Sequence, residues 1–158
     1  MSTDYSEDRL IQKSAAELME TELGWTSIYA YDKEVLGENG TFGRNSFHEV
    51  LLTQRFRLAL KKLNPWINDK QIAEAIERMT ERMSSQTLMQ INEQKYQFIR
   101  DGIPVTRIKP DGTSEEIKAV VIDFENIDNN DFLCVRELWV YGALYRRRAD
   151  IVGFVNGI

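Results

Sequence analysis

At 158 residues, 42% hydrophobic and 28% charged, the chain is long enough to bury a core and too apolar to be disordered. A formal net charge of -5 excludes a protein that coats nucleic acid through bulk charge, so any anion contact has to come from a local basic patch. The single Cys134 excludes an internal disulfide, and with the single His48 it cannot build a zinc site of the usual Cys/His kind.

One domain is the expectation. No charged leader with an apolar stretch opens the chain and no run is long enough to span a bilayer, so a cytoplasmic protein without membrane contact is expected.

Ser6, followed by Glu7 and Asp8, reads as the N-cap of a first helix with Leu10, Ile11, Ala15, Leu18 and Met19 on one apolar face, ended by Gly24. Trp25 to Tyr31 switches to β-branched and aromatic residues and predicts a strand. The segment from Gly37 to Gly43 spaces three glycines at intervals of three, but no Gly-Lys-Ser/Thr follows it, so it reads as a surface loop.

Leu52, Phe56, Leu60 and Leu63 recur at helical spacing after His48-Glu49, with Arg55, Arg57, Lys61 and Lys62 off the stripe. A basic helix face is usually just solvated; DNA contact by Lys61 and Lys62 is the minority alternative. Asn68 with Gln71 predicts a capped third helix bearing Ile72, Ile76, Met79 and Met83 on one side, the methionines as core filler. A fourth helix is expected from Ser85 to Asp101, stopped by Gly102 and Pro104.

Beyond Gly102 the period becomes two. Val105 to Ile108 and Ile117 to Phe124 flank a Pro110-Asp111-Gly112 turn, and the run Ala119 to Ile122, apolar on both faces, predicts a central strand. Asp123, Glu125, Asp128 and Asp131 crowd the next loop without the order of a calcium loop, and a plain turn explains them. Phe132 to Tyr141 predicts a further strand, with Leu133, Val135, Trp139 and Tyr141 alternating against Cys134, Arg136, Leu138 and Val140. Helices first and a mainly antiparallel sheet after them make an α+β pattern.

The chemistry-bearing stretch is the last one, Tyr145 to Ile158. Arg146, Arg147 and Arg148 precede Asp150, an apolar run from Ile151 to Val155, and an Asn156-Gly157 pair that predicts a hairpin. The position opposite Asp150 on the second arm falls about 13 or 14 residues further on. On the residues alone, pairing of Asp150 with a neighbouring arginine explains the motif better than a metal, because hydrolytic Mg²⁺ chemistry needs converging carboxylates.

Here a resemblance enters. The segments DRLIQKSAAELMETELGW, EVLLTQRFRLALKKLNPWI, INEQKYQFIRDGIPVTRI, VIDFENIDNNDFLCVRELWV and YRRRADIVGFVNG resemble, in this order, the N-terminal region of the endonuclease (R) subunits of type I restriction-modification enzymes. That region is similar to the PD-(D/E)xK nucleases, and Asp150 matches their metal-binding aspartate. Ala149 stands where the family usually has proline, and the family's Glu-x-Lys strand and ATPase motor domains lie beyond this stretch.

The resemblance implies an incomplete PD-(D/E)xK-like domain over residues 1–158 of a subunit that cleaves unmodified foreign double-stranded DNA. It implies Mg²⁺ at Asp150, ATP bound only by the motor domains, and modification (methyltransferase) and specificity subunits as partners. Arg146, Arg147 and Arg148 become candidates for backbone phosphates, with structural pairing as the alternative. The 158 residues alone are expected not to cut. The alternative function is a non-catalytic module that docks on the modification subunits or self-associates through an exposed strand edge.

Overall fold

In a computed structural model the structure describes residues 8–82 and 84–158. The predicted N-cap at Ser6 with Glu7, and Met83, lie outside the described residues. The fold is α+β. The described residues form two compact units, one of residues 8–54 with 131–158 and the other of residues 55–82 with 84–130.

The first unit opens with a π-helical turn, Asp8–Gln12, running into α1 (Lys13–Leu23). Gly24, at φ 68°, ends the helix in the left-handed conformation, and the Trp25 N–H closes onto the Met19 carbonyl at 3.1 Å. The buried positions are Gln12 and Ala16, while Leu10, Ile11 and Leu18 are exposed, which corrects the expected apolar face. The opening π turn is wider than an α turn, so a face extrapolated at 3.6 residues per turn comes out rotated.

Strand β1 (Thr26–Tyr29) runs parallel to β4 (Phe132–Tyr141), and β4 pairs antiparallel with β5 (Arg146–Val155), giving the order β1-β4-β5. One sheet face buries Leu133, Val135, Leu138 and Phe154 against Ala30, Phe42 and Leu52. The glycine-rich segment is therefore more than a surface loop, since Phe42 and Arg44 are both buried. Arg44 grips Glu34 through Nε and Nη2 at 2.5 and 2.7 Å, and donates to the carbonyls of Glu49 at 3.0 Å and Trp139 at 2.7 Å. A loop that carries a charged side chain inward must satisfy it there, and this one does so with four acceptor contacts.

The second unit holds most of α2 (Thr53–Leu63), then α3 (Asp69–Thr80), α4 (Leu88–Asp101), and a hairpin of β2 (Ile103–Ile108) and β3 (Ser114–Ala119). The Asn68/Gln71 capping box forms as expected, and Thr87 with Gln90 makes a second one that starts α4 two residues after Ser85. The Pro110-Asp111-Gly112 turn closes the hairpin with Lys109 N–H on the Thr113 carbonyl at 2.8 Å. The expected central strand is not there: β3 stops at Ala119 and pairs only with β2 among the described residues. Buried Asn64 explains the stop, because its side chain accepts from the Val120 N–H and donates to the Val120 carbonyl, both at 2.8 Å. A backbone satisfied by a side chain needs no further strand.

Candidate functional site

The site is built on β4 and β5. Their register pairs Arg136 with Ile151 and Leu138 with Ala149, and between these two rungs Glu137 and Asp150 fall at opposite positions without ladder pairing. The cause is at Glu137, whose backbone sits at φ 58° in the middle of a strand. A left-handed non-glycine residue there costs about 1–3 kcal/mol and persists only where its surroundings hold it.

The same kink resets the alternation of β4. Leu133 and Val135 reach the core before it, Leu138 and Val140 after it, so the core positions change parity. The strict alternation expected from Phe132 to Tyr141 is corrected accordingly. Trp139 and Tyr141 are turned to the other face, opposite Arg148 and Arg146 of β5.

Glu137 is 5% exposed and forms an ion pair with Arg148 Nε. Arg148 also lies over the rings of Tyr31, at 4.7 Å, and Trp139, at 5.6 Å. The three arginines do not act as one cluster. Arg146 covers the Tyr141 ring at 4.8 Å, whereas Arg147, paired with the core-packed Val140, turns to Tyr145 at 5.1 Å. Asp150 is exposed and takes part in none of the ion pairs of the described residues; the neighbouring arginine goes to Glu137 instead.

Past Val155 the chain turns as the Asn-Gly pair predicts. Asn156 and Gly157 have φ of 56° and 84°, and Val155 and Ile158 exchange hydrogen bonds of 3.2 and 3.0 Å, which is the geometry of a two-residue primed turn. Asn156 is fully buried; its side chain accepts from the Asp131 N–H at 2.7 Å and its own N–H donates to the Asp131 carbonyl at 2.8 Å. The turn lies at the end of β5, whose second edge has no strand partner among the described residues.

Mg²⁺ is commonly held by one or two carboxylates together with water and substrate phosphates. Asp150 is one exposed carboxylate, and Glu137, at the opposite position of β4, is engaged by Arg148. Among the described residues no three or more His, Cys, Asp or Glu side chains converge as metal ligands. The described residues by themselves do not make such a site.

The remaining sequence candidates lie in the other unit. Lys61 pairs with Asp69 at 3.0 Å, and Lys62 is exposed. The Asp123 carboxylate accepts from Asn129 Nδ2, Asn126 N–H and Glu125 N–H at 2.8, 2.8 and 3.1 Å, as in a hydrogen-bonded turn. The Asn129 amide, then the Asn126 N–H, hold its pKa below the ordinary carboxylate range. Cys134 is fully buried, and burial pushes its thiol up, away from the reactive thiolate.

Glu137 was not among the sequence candidates. Its signal was the phase change in Leu133-Cys134-Val135-Arg136-Glu137-Leu138, where two core positions three apart interrupt a period of two.

Residues 4–158 match the family described as "Type I restriction enzyme R protein N terminus". The chain is 30% identical over 138 residues to the type I restriction enzyme HindI endonuclease subunit of Haemophilus influenzae, covering 86% of this chain and 13% of that protein. It is 27% identical over 156 residues to a putative type I restriction enzyme MjaIXP endonuclease subunit of Methanocaldococcus jannaschii, covering 97% of this chain and 14% of that one. The chain thus spans about one seventh of the length of these relatives.

Proposed function

Because this chain belongs to the family of type I restriction enzyme R protein N termini, we propose that it works as the DNA-cutting part of such an enzyme, on unmodified foreign double-stranded DNA in the cytoplasm. Mg²⁺ is the metal assigned to it, with Asp150 as its ligand from this chain. ATP belongs to motor domains outside these residues, and the modification and specificity subunits are its partners. No described helix is long and apolar enough to cross a membrane.

One observation carries this reading. Asp150 lies on β5, the strand that ends in the formed Asn156-Gly157 turn, and an antiparallel arm continued from that turn would set a residue about thirteen positions after Asp150 opposite it. A second carboxylate there, on a PD-(D/E)xK-like strand, would give the ion the convergence that these residues lack. The 158 residues by themselves are accordingly assigned no cutting activity.

A plasmid-nicking assay with Mg²⁺ tests both statements. The 158-residue chain is expected to leave plasmid intact, while the longer subunit, assembled with its modification and specificity subunits and given ATP, linearises unmodified plasmid unless Asp150→Ala is present. Full activity of that variant would remove Asp150 from the site, and nicking by the short chain would overturn its inactivity.

The edge of β5 that has no strand partner among the described residues also supports a second reading, a module that docks on the modification subunits or self-associates through that strand. Sedimentation decides it, since a concentration-independent monomer with no affinity for the modification subunits is incompatible with it.

A further inference from the structure

The face of the β1-β4-β5 sheet opposite Leu133, Val135 and Leu138 carries a continuous row of rings and cations. Tyr29 stands opposite Arg136 in the β1-β4 register, and the Arg136 guanidinium lies 4.7 Å from its ring centroid, with Lys33 at 5.5 Å from the same ring. Tyr29 stacks on Tyr31, the ring planes 3° apart and the centroids 6.0 Å apart. Arg148 then bridges Tyr31 and Trp139, Trp139 meets Tyr141 edge-on at 6.3 Å, and Arg146 covers Tyr141. The row crosses all three strands.

We propose that this row is a docking surface for the phosphate backbone of duplex DNA. The proposal deepens the nuclease reading and rests on it for the identity of the polyanion. Three physical arguments carry it. First, the chain is acidic overall, yet Lys33, Arg136, Arg146 and Arg148 line this row together, Arg148 being paired with the buried Glu137 carboxylate, while the exposed Asp32 and Asp150 lie beside Lys33 and Arg148 in the chain. Second, each guanidinium lies over a ring, which orders a side chain that otherwise loses much rotamer freedom on binding, and a planar N–H fork suits phosphate oxygens. Third, a cation lies over each of the rings of Tyr29, Tyr31, Trp139 and Tyr141, which competes with base stacking there and favours contact with the sugar-phosphate backbone over single-stranded capture.

Tyr31 is placed for this role at some conformational cost. Its φ of 23° is unusual for a non-glycine residue, and it puts the ring parallel to Tyr29 and under Arg148. The sequence-level cluster is thereby reassigned, with Arg146 and Arg148 in the row, Arg147 outside it, and Arg136 and Lys33 added.

Fluorescence anisotropy of a labelled short duplex in EDTA, titrated with the 158-residue chain between about 50 and 200 mM salt, reads the contact without any cutting. Each of Arg146→Gln and Lys33→Gln is expected to weaken binding for every duplex sequence alike and to lower the log–log salt slope by about one. The pair Lys61→Gln and Lys62→Gln is expected to leave both unchanged. Arg146 and Lys33 are exposed, so these variants are compatible with the fold, and a circular dichroism spectrum matching the parent verifies it.

The proposal is overturned if the parent shows no duplex binding at the lower salt, if the Arg146 and Lys33 variants keep the parental slope, if only the Lys61/Lys62 variant loses binding, or if unlabelled single strands compete better than duplex. Because the readout needs neither metal nor cleavage, its failure and that of the nuclease assignment are scored separately.

Discussion

Glu137 holds Arg148 from the position in β4 whose backbone is left-handed, so a strained carboxylate on one strand fixes a guanidinium on the next, two residues before Asp150. Strain is retained in folds where neighbouring contacts compensate it, and here the compensation is electrostatic. Glu137→Gln keeps the shape and removes the charge, and is expected to cost about 1–3 kcal/mol in urea unfolding. In a double-mutant cycle with Arg148→Met the coupling should exceed about 1 kcal/mol; a value near zero would show that the two side chains act independently.

Arg44 and Glu34 form a buried pair whose side chains are 1% and 2% exposed. Arg44→Met strands the Glu34 carboxylate in the core and is expected to destabilise the first unit by about 3–5 kcal/mol, whereas adding Glu34→Met should recover much of that loss. Arg44→Lys should rescue poorly, because an ammonium cannot serve the carboxylate in two places and the Trp139 and Glu49 carbonyls as well. Chemical denaturation of the four proteins measures all three expectations.

Asn156 is expected to be intolerant of alanine. The variant would hold a left-handed φ without the asparagine preference and leave the Asp131 N–H without its side-chain acceptor, together about 2–4 kcal/mol. Asn156→Gly removes only the second support and should fall between parent and alanine variant. Equal stability of the glycine and alanine variants would discount the backbone contribution.

Glu74 makes one part of stability pH-dependent. Burial pushes its carboxyl up, but the Thr106 N–H and hydroxyl and the Arg78 guanidinium outweigh this and leave its pKa below the ordinary value. A depressed folded pKa stabilises fully above the unfolded value, about 4.3, and the contribution disappears as pH falls through the folded value. Thr106→Val should raise the Glu74 pKa in a carbon-detected NMR titration and flatten the acid side of the stability profile. An unchanged titration would mean that the Thr106 hydroxyl adds nothing to what its N–H already does.

Much of the fold was legible because local chemistry decides it. The Asn68/Gln71 capping box, the Pro110-Asp111-Gly112 turn and the Asn156-Gly157 turn are each set by residues that touch within a few positions. Asp150 could be singled out for the same local reason, an acidic residue between an arginine run and an apolar strand, and the likeness of whole segments pointed to the family that residues 4–158 match. What stayed hidden depends on distant partners. The parallel pairing of Thr26–Tyr29 with β4 joins residues about a hundred positions apart, and no local pattern encodes it.

The sequence by itself determined the α+β class, the turn after β5, and the family, because turn propensity, capping and hydrophobic period are properties of short segments. Only the tertiary structure decided which charges belong together. The left-handed Glu137 changes the parity of β4, and that change gives Arg148 to a buried glutamate and two rings, turns Arg147 to the opposite face, and leaves Asp150 exposed. Side-chain direction in a strand is inherited from the backbone at every residue before it, so one unusual φ reassigns every position that follows.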